Sequence, residues 1–435
     1  MDKYNFISFV GIFILLGFAW LFSRDKKNMN WKVIFWGIGI QFIFAFFIFV
    51  FPPGSKIFLL LNNLVVKILS SSTKGAEFIF GRLALPPGEM NETGEQSLGF
   101  FLAFQAFPTI IFFSALISIL YYFNIMQWIL KGFAYVFTKL MRLSGAESLC
   151  TASNIFVGIE SVLTIKPHLK EMTQSELCTI LTAGMATVAS NVLAIYIFSL
   201  KEQFPSIAAH LISASILSAP SALVASKIIF PEKESPKTLG EYVDVYYEKE
   251  SSFFEAIING ANSGVKLIVG IVALLIAVLG LVSLVDLFIG GLGNKINALF
   301  GINIDWSIKG FLGYIFYPFT LILGVPPSDA LIISKIIGER AILTEVPAYQ
   351  HLSIAISSGL IKNPRSIVIA TYALCGFAHL ASMAIFVGGI ATLIPEKRKI
   401  LAKLGPKALL GATIACLLTA CVAGTFFTKN SILIR

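Results

Sequence analysis

The sequence predicts an all-α polytopic membrane protein with about eight transmembrane helices, an interfacial helix and two re-entrant hairpins in an internal repeat. Three observations carry that expectation. Hydrophobic residues make up 56% of the 435-residue chain and charged residues only 13%, with a mean hydropathy of +0.83, which is too apolar for an ordinary soluble domain. Apolar runs of roughly the 20 residues needed to cross a hydrocarbon core recur along the whole length. Two further apolar stretches are broken by Gly and Pro, and each contains an acid or leads to one.

The first region, 1–122, reads as N-terminal scaffold helices with spans near 5–22, 33–51 and 98–122. The run Phe6 to Phe22 is long for a signal-peptide core and no small-residue cleavage pattern follows it, so it stays as a membrane helix. Between the first two spans, SRDKKNMNWK carries Arg24, Lys26, Lys27 and Lys32. Such a cluster is held in the cytoplasm, which turns the amino terminus outward. Gly88 to Ser97 then falls outside, with Asn91-Glu-Thr in the form of a glycosylation acceptor. Residues 123–143 set Lys131, Lys139 and Arg142 against an apolar side, as a helix lying in the membrane interface does; one more short span is the alternative.

Residues 144–200 read as a first re-entrant hairpin plus a broken helix. Ser144 to Lys170 is interrupted by Gly145, Gly158 and Pro167, and the following span is loosened at Ala189-Ser190-Asn191. Bare backbone at membrane depth survives only where protein covers it or it lines a wet cavity. Residues 201–306 supply scaffold spans near 206–230 and 253–290, separated by the charged cytoplasmic loop 231–250. Residues 307–393 repeat the earlier order. Ser307 to Glu345, with Gly313, Pro318, Gly324, Pro326, Pro327 and Gly338, reads as the second hairpin, and the span near 362–393 is loosened at Gly376, His379 and Ser382. Residues 394–435 end the chain with a scaffold helix near 405–427, behind Lys397, Arg398 and Lys399. These basic residues fall on the same inner side as Lys131, Lys139, Arg142, Lys227, Lys233 and Lys237, which supports the count.

Hairpin, acid and broken helix thus occur twice, and paired interrupted segments are the sequence mark of a transporter's midplane site. One repeat would be inverted if an odd number of crossings separated the two. Two full crossings and the hairpin intervene, so the parity rests on where each hairpin enters.

Glu160 and Glu345 lie in apolar surroundings, where a carboxylate is costly unless paired, hydrated or bound to a ligand or cation. A functional site is the default reading; capping a half-helix or pairing with a base such as Arg340 is the other. His379 can donate, accept or take up a proton near neutral pH, and Ser382 is placed one turn later on the same face. His168 and His351 sit near hairpin or helix ends. Asp329 in VPPSDA is expected to cap the helix after the paired prolines, and Lys309, Lys335 and Arg340 read as interfacial anchors or ion-pair partners. The five scattered cysteines, Cys150, Cys178, Cys375, Cys416 and Cys421, read as packing residues. The net charge of +9 sits in loops and orients the chain, so no nucleic-acid partner is implied. No HExxH, GxSxG or phosphate-loop pattern is present, which argues against an enzyme.

From Gly99 to Phe427 the chain resembles the concentrative nucleoside transporter family. The likeness is carried by SNIFVGIES with IKPHL and SELCTILTAGMATVASNVLAIY, by PFTLILGVPPSDA with IIGERAILTEVPAY, and by ATYALCGFAHLASMAIFVGGIATLIPEKR. The resemblance implies a homotrimer in the cytoplasmic (inner or plasma) membrane, surrounded by lipid, each subunit importing nucleosides with Na+ or H+ and using no cofactor. It aligns Glu160 with the base-binding glutamate, Val192 with an apolar contact beside it, and Glu345 with the ribose-holding glutamate. Phe377, His379 and Ser382 fall on the family's aromatic, asparagine and serine positions, while Asn154, Val157 and Thr187 match its cation site.

The chain also departs from that pattern. Family members read Gly-Gln-Thr-Glu where this sequence has Gly158-Ile159-Glu160, and Asn-Glu-Phe where it has Thr344-Glu345-Val346; His379 replaces an asparagine. Replacing buried hydrogen-bonding partners changes which ligands leave a site unsatisfied, so a shifted selectivity or a non-nucleoside substrate stays open. So does a receptor that binds its ligand without flux.

Overall fold

In a computed structural model, residues 2–91 and 94–428 are described; Glu92 and Thr93, two thirds of the acceptor-like tripeptide, lie outside them. Sixteen α-helices are formed among the described residues. Three come first: α1 (Lys3–Leu21), α2 (Trp31–Phe49) and α3 (Pro52–Phe80). A π-helical turn over Leu102–Ala106 leads into α4 (Phe107–Tyr122), and α5 (Ile125–Met141) follows.

Two faces are fixed by contacts between distant segments. On one, Arg24 N–H donates to Ile229 O at 2.8 Å, Lys233 pairs with Asp25 at 2.8 Å, and Lys397 Nζ donates to Met172 O at 2.6 Å. On the other, Asn5 Nδ2 donates to Thr425 O and Phe427 O, both at 2.8 Å, and Ser353 donates to Gln203 at 3.0 Å. The first face gathers the basic loops and is cytoplasmic.

α3 is long and apolar enough to cross a membrane, and the sequence reading has no element there. Its contacts lay it along the outer face instead. Ser55 Oγ donates to Ile48 O (2.7 Å) where α2 ends, Asn62 Nδ2 reaches Pro205 O (3.3 Å) in an outer loop, and Gln105 Nε2 donates to Leu85 O (2.9 Å) just beyond its end. All three anchor points are on one side, so α3 adds no crossing. Its buried positions Phe58, Asn62, Leu69, Ser72 and Ala76 form one stripe, as a surface helix requires.

The first hairpin has as its arms α6 (Gly145–Asn154) and a 3₁₀ run, Ile159–Glu171, kinked at Ile165 ahead of Pro167. A broken crossing follows, α7 (Gln174–Ala186) and α8 (Ser190–Leu200), then α9 (Ile207–Ile229). The second half runs α10 (Phe253–Phe300), α11 (Ile308–Ile322), α12 (Pro327–Ile342), α13 (Glu345–Ser357), the broken pair α14 (Pro364–Leu374) and α15 (Leu380–Leu393), and α16 (Arg398–Phe426). The order α4 to α9 therefore matches α10 to α16. Three crossings, α4, α7/α8 and α9, separate the two starts, and that odd number inverts the second repeat. The first hairpin enters from the cytoplasmic face and the second from outside.

The second hairpin differs from the sequence expectation. Its arms are α12 and α13, with the tip at Leu343 and Thr344, and α11 is the counterpart of the interfacial α5. Pro326 and Pro327 do not mark the tip because proline suits the first turn of a helix, and here they start α12 behind a turn at Gly324 (φ +83°). The tip has its own mark: Thr344 sits at φ +148°, a strained position for a β-branched residue.

At 48 residues, α10 is roughly 70 Å long, far more than a bilayer core needs. It packs on α4 where Gly260 and Gly264 let the backbones approach; a Cβ at either glycine would lie 2.7 Å from α4 backbone at Ala115 or Ile111. Much of its remaining surface is exposed and apolar. All five cysteines are free and buried.

The loop 231–250 is an ordered strap over the first hairpin. Gly145 N–H donates to Thr238 O (2.8 Å), Gly240 N–H to Leu143 O (3.0 Å) and Tyr246 N–H to Thr164 O (2.9 Å). Lys131 pairs with Asp244 (2.7 Å), and Tyr135 stacks on Tyr242 at 5.1 Å. Beneath it, Lys227 is paired with Glu147 at 2.7 Å, both almost fully buried, and Ser144 Oγ donates to Glu176 at 2.5 Å.

Candidate functional site

Each hairpin turns just before an acid. Glu160 follows Gly158 at the start of the 3₁₀ arm, and Glu345 is the first residue of α13. Both occupy the positive end of a helical arm, where unbonded N–H groups favour a carboxylate. The inverted repeat brings the two tips together at one cavity, whose lining includes Glu160, Val192, Glu345, Phe377, His379 and Ser382. All six residues expected to serve a substrate therefore share one space.

Glu345 is held from two sides. Tyr196 Oη donates to its Oε1 at 2.7 Å, and His379 Nε2 lies 3.0 Å from its Oε2. Arg340, offered by the sequence as its partner, instead donates to Ala373 O. The histidine is not on a helix face with Ser382; it is the extended residue (φ −143°, ψ 163°) capping α15, and its Nδ1 accepts Ser382 N–H at 3.2 Å. An accepting Nδ1 puts the ring proton on Nε2, so the network assigns a neutral imidazole. Ser382 Oγ lies 2.8 Å from Nε2, and Glu345 Oε2 has no aligned hydrogen bond. With only the imidazole beside it, that oxygen can still accept a ligand hydroxyl.

Glu160 faces this cluster from the first hairpin. Its Oε2 lies 3.4 Å from where a Gly158 side chain would begin, so the carboxylate folds back over its own tip. Among the described residues no base forms an ion pair with it. Ile159 stands beside it in the cavity wall and packs towards Gly389. Asn191 also lines the space, and its buried Oδ1 has no partner.

The third wall comes from α10 through Leu267, Ile271, Leu274 and Leu275. The sequence reading missed it. The residues recur at helical spacing, but a helix apolar all round gives no signal for which stripe matters. Tyr196 was missed as well; it stands four residues after Val192 and stacks on Tyr349 at 4.5 Å. A second cavity shares Glu160, Asn191 and Leu267 with the first and extends to Tyr121 and to the strap's own Tyr246 and Tyr247, so the site continues towards the cytoplasm.

Asn154, Val157 and Thr187 do not line the main cavity. Asn154 Nδ2 donates to Cys150 O (3.0 Å) and its Oδ1 accepts from Ser161 (2.9 Å); Thr187 Oγ donates to Ala183 O (2.9 Å). They belong to one junction, where Ser190 N–H donates to Phe156 O (2.9 Å) and ties the first tip to the break between α7 and α8. Among the described residues no group of His, Cys, Asp or Glu could hold a metal. The junction offers amide, hydroxyl and carbonyl oxygens, which suit a hard ion.

Outside the site, Asp329 does not cap α12, whose N-cap is Pro326. It is buried and accepts from Asn363 N–H (3.0 Å) and Ser366 Oγ (2.7 Å), fixing the start of α14. Lys309 pairs with Glu339 (2.8 Å) and Lys335 with Asp305 (2.5 Å), as ion-pair partners do, whereas Arg340 is fully buried and, among the described residues, paired with no acid. His351 lies against Glu339 at 2.8 Å at the outer end of the second hairpin.

Three family models match the chain in succession: the N-terminus of the Na+ dependent nucleoside transporters over residues 10–83, the nucleoside recognition Gate over 103–203, and the C-terminus of the same transporters over 210–424. Solute carrier family 28 member 3 of Mus musculus is 36% identical over 98% of this chain and 59% of its own length. Sodium/nucleoside cotransporter 2 of Rattus norvegicus is 33% identical over 98% of this chain and 63% of its own. The chain thus spans about three fifths of these relatives. The structure of CNTnw in an inward-facing substrate-bound state superposes with a TM-score of 0.86 at 30% identity, covering 97% of this chain and 98% of that one. A variant of CNTnw in an outward-facing state gives 0.87 at 29% identity, covering 98% of each.

Proposed function

Because the chain belongs to the Na+ dependent nucleoside transporter family, and is therefore an integral membrane transporter and not an enzyme, we propose that it is a cation-coupled symporter importing nucleosides by alternating access. The observation that carries this reading is the meeting of Glu160 and Glu345, one from each inverted repeat, across one cavity. A nucleoside has matching ends: a heterocycle with N–H donors and a sugar with hydroxyls. Glu160 takes the base, with Val192 and Phe377 against its apolar surface. Glu345 Oε2, His379 and Ser382 take the ribose hydroxyls.

Ile159 stands where a polar base contact would, so base discrimination falls to Glu160 and to the unpartnered Asn191 Oδ1. Losing polar partners weakens rejection of alternative bases, and a broad purine and pyrimidine range follows. The coupling ion is Na+, held where Asn154, the Val157 carbonyl and Thr187 meet between the first tip and the α7/α8 break. A proton carried by His379 is the second reading, favoured by the 3.0 Å approach to Glu345. Against it stands the Nδ1 contact to Ser382 N–H, which only a neutral ring can accept.

The exposed apolar side chains Leu284, Leu287, Phe288 and Leu292 of α10 suit lipid and the interface of a homotrimer. Transport is tested by imposing a Na+ gradient, a proton gradient or neither on nucleoside-loaded assays with proteoliposomes. Na+-driven accumulation supports the reading, and accumulation driven by protons alone replaces Na+ with His379. Binding without flux under either gradient would make the chain a receptor.

A further inference from the structure

The first halves of the two broken helices end against one another. α7 stops at Ala186 and α14 at Leu374. A side chain on Gly376 would come within 2.6 Å of Ala186 O and 2.7 Å of Cys416 Sγ. The Cys416 thiol reaches both ends, at 3.2 Å from Cys375 O and 3.7 Å from Ala186 O. Each end carries last-turn carbonyls equivalent to about half a negative charge. Two such ends facing each other away from water repel, with little solvent to screen them.

Arg340 reaches this junction from α12. It is fully buried, Nη1 donates to Ala373 O at 2.9 Å, Nε and Nη2 have no aligned hydrogen-bond partner among the described residues, and the neutral Cys416 thiol stands beside the guanidinium. Among the described residues no carboxylate pairs with it; Glu345, five positions on, is engaged by Tyr196 and His379. A buried guanidinium without a counter-ion is costly unless other negative charge faces it, and the end of α14 supplies that. Carbonyls of α14 are also met by Tyr349 Oη, which donates to Thr371 O at 2.9 Å. At the end of α7 the side-chain donors among the described residues are Thr187 and Cys416, both neutral.

We infer that Arg340 is a tethered cation: it neutralises the α14 end of the facing pair, and the exchangeable coupling ion neutralises the α7 end. The second half rests on the cation-coupling reading above; the first rests on Arg340 alone. Inverted symmetry would offer two equivalent ion positions, and in this chain one is permanently filled. Removing the charge should open it to a mobile ion.

The test is the thermal midpoint of the purified full chain as Na+ is raised, with choline chloride holding ionic strength constant. Its slope against log[Na+] reports the ions bound by the folded protein. Arg340→Gln should steepen that slope about twofold, and Arg340→Lys should leave it at the wild-type value. Should Arg340→Gln fail to fold, Cys416→Asp, which leaves Arg340 in place but gives it a counter-charge, should steepen it likewise. A wild-type slope in folded Arg340→Gln, or in Cys416→Asp where Arg340→Gln does not fold, overturns the inference. A flat wild-type response would remove the coupling reading, while a slope gained only in the variants would still support the tethered cation.

Discussion

His379 Nε2 lies 3.0 Å from Glu345 Oε2, joining the break of α14/α15 to the tip of the second hairpin. The same ring accepts Ser382 N–H through Nδ1, so one imidazole caps a half-helix and stands beside the acid. Asparagine can repeat both functions without titrating, since its oxygen accepts and its NH₂ donates. In uptake assays from about pH 5.5 to 8, where an ordinary histidine titrates, His379→Asn should keep Na+ dependence and the wild-type pH profile. A profile that flattens in the variant would assign the coupling proton to His379.

Tyr196 donates to the other oxygen of Glu345 at 2.7 Å. Hydrogen bonds to buried charged groups contribute about 1.5–3 kcal/mol. Tyr196→Phe should therefore lower kcat/KM for uptake by about tenfold or more, while its ring still stacks on Tyr349. Unchanged transport would mean that Glu345 does not depend on this support.

Lys227 and Glu147 form a pair whose side chains are 3% and 1% exposed. Breaking such a pair leaves an uncompensated buried charge, at about 3–5 kcal/mol. Lys227→Met should lower the thermal midpoint sharply, and adding Glu147→Gln should recover much of the loss. A double variant no better than the single would show that the pair is not the unit of stability.

On the strap, a hydrogen bond from Lys237 holds the Glu171 carboxyl below its usual range, as Lys131 does for Asp244; Tyr246, then Lys166, do so for Glu248. These depressed values stabilise the folded strap above the ordinary carboxylate range, and the contribution disappears as pH falls through the lower folded values. Hydrogen-exchange protection at Gly240 and Tyr246 should persist to about pH 5 and fall below about pH 4. Loss near neutral pH would show that these pairs do not hold the strap.

The acids, the breaks and the two-fold order were legible because charge and broken backbone are rare at membrane depth. Glu160, Glu345, Gly376 and His379 announce themselves by that contrast. The second hairpin was misplaced because Pro326 and Pro327 break an apolar pattern equally well at a surface turn and at a buried tip. α3 was missed since Lys56, Lys67, Lys74 and Glu77 dilute its apolar stripe. Tyr196 and the Leu267 to Leu275 wall could not be singled out, because partners brought together by inversion leave no mark in local spacing. Arg340 was read as an anchor or ion-pair partner, and only the folded chain shows it facing carbonyls.

The paired-acid site is tested most directly by uptake of a purine and pyrimidine nucleoside panel into proteoliposomes holding the full chain, in Na+ and in choline. Na+-dependent accumulation by the wild type, with an efficiency about tenfold or more lower in both Glu160→Gln and Glu345→Gln, is the expected result. Neither uptake nor competition by any nucleoside, or full activity in both variants, would contradict it.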